Sequence, residues 1–526
     1  MKKLPIGTQS FEVLRTEDLL YVDKTEDIHR LITNNRIIFL SRPRRFGKSL
    51  LVSTLDAVFS GRKELFEGLW IYDKWDWTRQ FPVIRIDWTR ISHSDPEEMK
   101  GSLASYVRRI ADNYQIQLVS ASASDCFSEL IEKLHRKTGE KVVILIDEYD
   151  KPVTSHLLDE HLEPVRMLVH DFYQVMKGAD EHIRFIFLTG VSKFAGLSVF
   201  SALNNPNDIT LTEKYATICG YTQPELENYF TEYIDDTAQH LEMTRDELLS
   251  LIRTWYNGYS WDGKTAVYNP FSTLLFFDNQ EFANYWFRTG TPTFLIRLIR
   301  KGHETGRILT PVTISANAFD SYDPKNIRVI PLMFQTGYLT IKKKILEKGR
   351  PLYTLEFPNA EVGEALMEQL FYAYTSYPVE ETEDLRQRMW RQLRDHNTEG
   401  LEQCLREMIA AIPYLEVVKT EAWYHSVMLL WLRLLGFELT GELPTNFGRI
   451  DAVWFFPGHA IIVEVKSQPK QGDISKLLDA ALKQIHEKRY YERFMGERQV
   501  SLLGVAFAGN EIGCRIESLL LNTSFP

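Results

Sequence analysis

The chain is poor in several things at once. Its 526 residues include only 4 cysteines. Cys126, Cys219, Cys404 and Cys514 lie far apart with no C-x-x-C pair, which excludes a disulfide framework and a cysteine zinc site as organising devices. There is no surplus of positive charge: 61 Lys and Arg against 71 Asp and Glu leave a net charge of −10. That excludes broad, non-specific affinity for nucleic acid but leaves room for a local basic groove. No long hydrophobic run exists; VVILI at 142–146 is far too short to span a bilayer. The opening MKKLPIGTQSFEVL meets proline and glycine before an apolar run forms, so no signal peptide is expected and the chain reads as cytoplasmic. Internal repeats and low-complexity tracts are absent from the sequence.

What remains is ordinary globular material, 44% hydrophobic and 25% charged, enough for several cores. Four apolar segments in the first 200 residues read as buried strands of a parallel sheet: RIIFL (36–40), PVIRIDW (82–88), KVVILID (141–147) and RFIFLTG (184–190). Strands covered on both faces need not alternate, and the long helical stretches between them supply the βαβ crossovers. The expected division is 1–204 as this α/β core and 205–345 as a mainly helical lid or winged-helix-like region, with a small β element near GYLTIKKK and PLYTLEF. A helical connector over 346–414 and an α/β domain over 415–526 complete it.

SRPRRFGKSL (41–50) ends in the Gly-Lys-Ser of a phosphate-binding loop, with RIIFL as the feeding strand and SLLVSTLDAVF as the following helix. Unpaired N–H groups at that helix start face an anion; Gly47 allows close approach, Lys48 reaches the outer phosphates and Ser49 holds Mg²⁺. The position of the motif's first glycine is taken by Arg42. Pro43 fixes φ and drives residue 42 toward an extended backbone, so proline can shape the turn in place of glycine. Arg44 and Arg45 meet phosphate, an acid such as Asp23 or Asp147, or solvent; the sequence leaves these open. KVVILIDEYD then ends a strand in Asp147, suited to Mg²⁺, and Glu148, suited to polarise the attacking water. Thr189, with Ser192, stands either as a γ-phosphate sensor or as a strand-end cap.

S-R-P-R-R-F-G-K-S, preceded by YVDKTEDI (21–28), resembles the bacterial AAA-ATPase-like family. Further matching stretches are IDEYDKP (146–152), LTGVSKF (188–194), SALNNPNDIT (201–210), WYNGYSW (255–261), YNPFS (268–272), YWFRTGTPTFL (285–295) and FPNAEV (357–362). The resemblance runs nearly end to end. It implies an ATPase core of the additional-strand type, a P-loop NTPase (AAA-like) parallel sheet in which the arginine-bearing loop is the usual form. Carried onto the loop, the nucleotide contacts are Arg44, Arg45, Phe46, Gly47, Lys48, Ser49 and Leu50, with Asp147 and Thr189. Arg184, Arg253 and Arg288 are candidates for an arginine finger, and a homo-oligomer is open.

The C-terminal region contains FGRIDAVWFFPGHAIIVEVKSQ. Glu464 and Lys466 stand two apart on one strand and so share a face, and a turn through Pro457-Gly458 can bring Asp451 beside them. Two carboxylates and a lysine on one sheet face suit a metal-dependent phosphodiester hydrolase. The arrangement resembles the PD-(D/E)xK nuclease superfamily, with its restriction-endonuclease-like α/β fold. Glu421 on the preceding helix is a further metal contact or a helix-dipole partner. Gln484 on the following helix orients the metal shell or the nucleic-acid backbone, and Lys488 lies near site or phosphate. The expected function is an ATPase coupled to a Mg²⁺-dependent nuclease (Mn²⁺ also suits that site), with DNA as the expected partner and no membrane. The alternative is a nucleotide-dependent switch whose nuclease-like domain binds without cutting.

Overall fold

The computed structural model describes residues 1–157, 159–193, 203, 206–287, 293–302, 308–319, 328–375, 379–410, 430, 433, 452–456, 459–468, 472–489, 491, 492, 494, 499–508 and 511–519. The chain forms two compact units. One is Met1–Thr289 with Thr313–Glu361; the other is Gly290–Val312 with Val362–Pro526. No helix among the described residues is long and apolar enough to cross a membrane.

The first unit is built on a parallel sheet of β1 (Ile37–Ser41), β2 (Val83–Asp87), β3 (Val142–Asp147), β4 (Ile183–Gly190) and β5 (Asn207–Asp208). Their order is β2-β3-β4-β1-β5, so β4 lies between the strand feeding the Arg42–Ser49 loop and the strand ending in Asp147-Glu148. That is the additional-strand arrangement. Val142 to Ile146 are all fully buried, which is why β3 reads as an unbroken apolar run; each such side chain contributes about 1.5–3 kcal/mol on burial. The four longer strands are the four apolar segments of the sequence. The fifth has only Asn207 and Asp208, polar residues of low strand propensity in a stretch rich in turn signals. It forms because β1 needs a partner on its outer side: Ile209 N–H donates to Phe39 O at 3.0 Å.

Helices Gln223–Tyr229, Thr231–His240, Arg245–Tyr256 and Pro270–Asn279 follow. Two of them start at capping boxes, Thr222 with Glu225 and Thr244 with Glu247, each satisfying two otherwise orphaned N–H groups. Their apolar faces close over Phe230, Ile252, Tyr256 and Phe276, together with Leu20 and Val22 from the N-terminal segment. A three-stranded sheet in the order β6-β8-β7 completes the unit: β6 (Val312–Ser315), β7 (Thr340–Glu347) and β8 (Arg350–Glu356). The helical middle and its small β element are thus present.

The second unit carries helices Val379–Arg394 and Thr398–Ala410 and a mixed sheet. Its strands are β9 (Ala452–Phe456), β10 (His459–Gln468), β11 (Gln499–Ala508) and β12 (Glu511–Leu519), in the order β12-β11-β10-β9. Helix Ile474–Glu487 crosses from β10 to the parallel neighbour β11. Gly504 of β11 leaves room for it: a Cβ there would already touch Leu482 at 3.3 Å and Ala481 at 3.4 Å. The final strand β12 has no counterpart in the sequence reading, because only its first half is apolar enough to register.

Candidate functional site

Parallel strands deliver their carboxyl ends to one edge of the sheet, where ligands of open α/β sheets gather. At that edge β1 runs into the Arg42–Ser49 loop. Arg42 N–H continues the sheet by donating to Gly190 O at 3.2 Å. Its side chain is fully buried. The guanidinium donates to the carbonyls of Ser41 (2.8 Å), Thr210 (3.0 Å) and Tyr215 (3.1 Å) and lies 3.9 Å from the ring centroid of Trp261. Desolvation pushes it down to about 10, still cationic at neutral pH. The residue at the missing-glycine position is therefore a buried staple joining the loop to two later stretches of chain.

Beyond it Pro43 is buried while Arg44 and Arg45 are exposed. Arg45 adopts φ +68 and Gly47 φ +83, left-handed values that cost a non-glycine residue energy. A Cβ at Gly47 would meet nothing within 4 Å, so torsion rather than crowding selects glycine there. Arg45 lies over the Phe271 ring at 4.8 Å. The carbonyl of Arg44 accepts from the Trp286 indole at 3.1 Å. Phe46 is buried and turns its ring onto Tyr259 (4.7 Å) and Trp261 (5.4 Å).

Lys48 opens helix Lys48–Phe59. Its ammonium, only 4% exposed, donates to Pro43 O at 3.1 Å and stands 3.5 Å from Glu148. The Ser49 side chain neighbours Asp147, a carboxyl that burial pushes above its ordinary range. Glu148 has φ +53 and its N–H donates to Asp147 Oδ1 at 3.1 Å. Lys48, Ser49, Asp147 and Glu148 are thus brought together. Arg44, Arg45, Lys48, Ser49, Glu148 and Lys151 line an open cleft. A second, smaller pocket, largely apolar, meets the loop at Gly47 and Leu50 and includes Tyr21, Phe46 and Tyr221. A buried ammonium at a helix start fits a phosphate, and the Ser49–Asp147 oxygen pair fits a hard cation. Thr189 is fully buried and its hydroxyl donates to Leu40 O at 2.9 Å.

Several residues at this edge carry no role in the sequence reading. Asp150 is buried and accepts from Val191 N (3.2 Å) and Ser192 N (2.7 Å), locking the end of β4 to the Asp147-Glu148 turn. Burial, with Glu148 nearby, pushes Asp150 up to about 6. Glu361 is fully buried, accepts from Ser272 (2.8 Å) and from Trp286 N (2.7 Å), and is pushed up to about 7 by desolvation. The signal for them was present: Asp150, Trp261, Phe271, Trp286 and Glu361 each fall within one of the family-matching stretches, and each touches the loop, a neighbour of it or the β4 end.

In the second unit Glu464 is 1% exposed on β10. Lys466 donates to it at 2.9 Å and to Gln484 Oε1 at 2.7 Å; Gln484 Nε2 in turn donates to Glu464 Oε1. The two-residue spacing thus sets Glu464 and Lys466 on one face, beneath the helix that carries Gln484. Asp451 and Glu421 lie outside the described residues, so this set is Glu464, Lys466 and Gln484 here.

Fold and edge geometry define a P-loop-type ATPase core joined to a nuclease-like unit. Residues 5–200 match the family described as Predicted AAA-ATPase, and residues 419–516 match the PD-(D/E)XK nuclease superfamily. A protein of Azotobacter chroococcum mcd 1, described as "Uncharacterized protein in vnfD 5'region", is 36% identical over 531 residues, covering 98% of this chain and 99% of that one. The chain belongs to the AAA-ATPase-like family and carries a PD-(D/E)XK nuclease superfamily domain after that core.

Proposed function

We propose that the protein binds and hydrolyses ATP at the β1/β3 edge and uses that cycle to control metal-dependent cleavage of DNA by the second unit. The observation that carries the reading is that Lys48, Ser49 and Glu148 line one open cleft, with Lys48 beside Glu148 and the buried Asp147 next to Glu148 in the chain. Main-chain N–H groups of the Gly47–Leu50 turn and the Lys48 ammonium hold the phosphates, flanked by Arg44 and Arg45, and the apolar pocket beside Leu50 receives the base. Ser49 and Asp147 hold Mg²⁺. When bound, Mg²⁺-ATP supplies the scissile phosphoryl bond and neutralises its charge. Glu148 orients water and takes up its proton, while Thr189, its hydroxyl held by Leu40 O, caps the end of β4.

In the second unit Glu464, with Asp451 and Glu421, holds Mg²⁺ or Mn²⁺, which supplies Lewis-acid activation when bound. Lys466 stabilises charge on the phosphate, and Gln484 fixes both the Lys466 ammonium and the Glu464 carboxylate. The test is a cleavage assay with and without ATP on single-stranded, duplex and branched DNA and on RNA. Asp451→Ala is expected to abolish cutting, Lys48→Ala to remove its ATP dependence, and Glu148→Gln to bind ATP without turnover. A wild type that cuts none of these substrates would sink the nuclease reading.

A further inference from the structure

The antiparallel hairpin of β7 and β8 stands apart from the acidic balance of the chain. Within residues 343–350, KKILEKGR, four cations face one anion, a net +3, against −10 for the whole sequence. All eight are exposed. Leu346, near the tip, is 75% exposed and Ile345 is 39% exposed, although large apolar side chains in water are the group a monomer has most reason to hide.

The hairpin is built rather than loose. Its two-residue turn, Lys348-Gly349, has φ +49 and +77, the pair of positive values that matches the twist of the flanking strands. The pairs Glu347↔Arg350, Leu346↔Pro351, Ile345↔Leu352, Lys344↔Tyr353 and Lys343↔Thr354 are in register, with an irregularity between Ile341 and Lys343. At that irregularity Lys342 turns back to donate to Pro358 O at 2.8 Å. Lys344 stands over the Tyr353 ring at 5.7 Å. The base is clamped: Ile341 N–H donates to Ser260 O at 3.2 Å and Ser260 N–H to Thr340 Oγ1 at 2.7 Å. Ser260 precedes Trp261, the ring on which Arg42 rests.

We infer that this hairpin is a wing that binds duplex DNA, with Lys343, Lys344, Lys348 and Arg350 on phosphates and Leu346 against the groove wall. The inference rests on the nucleic-acid reading of the second unit but assigns a separate contact surface to the ATPase unit. Charge complementarity names the partner. The B-form major groove, about 12 Å wide, admits a two-stranded ribbon, whereas the deep, narrow major groove of A-form RNA does not. Because β7 is an edge strand, lysines there also discourage edge-to-edge pairing. That role does not call for cations at the turn and on the inner strand β8, and Leu346 works against it. The clamp at Ser260 gives duplex binding a physical path to the loop that holds Lys48.

The test compares the full chain with a variant carrying Lys343→Gln, Lys344→Gln, Lys348→Gln and Arg350→Gln, by anisotropy of a labelled duplex over a salt series. A control removes equal charge elsewhere on the same unit (Lys63→Gln, Lys74→Gln, Lys100→Gln, Arg136→Gln). The wing variant is expected to bind roughly tenfold or more weakly and to lose up to about 3–4 from the salt slope of log affinity, with unchanged affinity for a fluorescent ATP analogue. Leu346→Ser weakens binding with the slope kept. Equal binding by wild type and wing variant overturns the wing while leaving the nuclease reading in place. Equal loss in the control overturns it as mere net charge. A wild type that prefers RNA, or anionic vesicles, to the duplex overturns it too. Cleavage by the wild type, lost in Lys466→Ala, tests the nuclease reading independently.

Discussion

The indole N–H of Trp286 donates to the main-chain carbonyl of Arg44 over 3.1 Å, while the main-chain N–H of the same residue donates to the Glu361 carboxylate over 2.7 Å. One residue thus holds the exposed middle of the loop and a buried acid at the sequence end of the first unit. Trp286→Phe keeps the ring contact with Tyr338 and removes only the indole donor. The expected outcome is a nucleotide affinity weakened roughly 3- to 10-fold, the worth of one hydrogen bond, with little change in melting temperature. Titration with a fluorescent nucleotide measures it, and an unchanged affinity means the loop holds its shape without the indole.

Restoring the textual motif at position 42 is expected to harm the protein. Arg42→Gly strips partners from three carbonyls, those of Ser41, Thr210 and Tyr215, and opens a void against Trp261. A loss on the order of 2–4 kcal/mol follows for the first unit, read as a lower denaturation midpoint. Arg42→Lys recovers part of it, since an ammonium cannot bridge all three carbonyls and also stack as a plane does. A glycine variant as stable as wild type would contradict the staple.

Glu361 gives the first unit a pH dependence with a defined sign. Its carboxyl is pushed from the usual range up to about 7 in the folded chain, so between about pH 4.5 and 7 the folded state binds more protons than the unfolded state. The contribution is fully present below that window and is lost as pH rises through 7. Glu361→Gln preserves an acceptor for Trp286 and cannot ionise. It should therefore stabilise the protein at pH 8 relative to wild type, by on the order of 2–3 kcal/mol, with no gain at pH 4.5. Chemical denaturation at the two pH values checks this; a gain equal at both would assign the effect to packing.

Stability and the proposed cleavage should be separable at Lys466. Lys466→Gln removes the cation beside Glu464, 1% exposed, and should lower the melting temperature of the second unit, since a buried charge that loses its counter-ion is costly. Adding Glu464→Gln should recover most of that loss and no cleavage. Recovery of cutting in the double variant would show that neither residue takes part in the chemistry.

Legibility followed sequence distance. β3 was readable because a strand covered on both faces is apolar throughout, and the Glu464–Lys466 pairing because strand geometry makes residues two apart neighbours. Arg42 was readable only as an anomaly: its partners Thr210 and Tyr215 come 168 and 173 residues later, and nothing local announces them. Asp150 and Glu361 fall in family-matching stretches, but their burial is not legible there; only the fold removes them from water. β5 was invisible for the opposite reason, since two polar residues become a strand solely through what β1 leaves unpaired.

The interleaving of the two units along the chain has a consequence for how the protein can be taken apart. Residues Gly290–Val312 group with the C-terminal unit although both flanking segments group with the first, so the backbone passes between units three times. A stop codon or protease cut after Glu361 would discard most of the nuclease-like unit yet retain its Gly290–Val312 piece on the remaining chain. A fragment beginning at Val362 would lack that same piece. Each unit is therefore drawn from two separate stretches of chain, and neither can be expressed whole as one contiguous fragment.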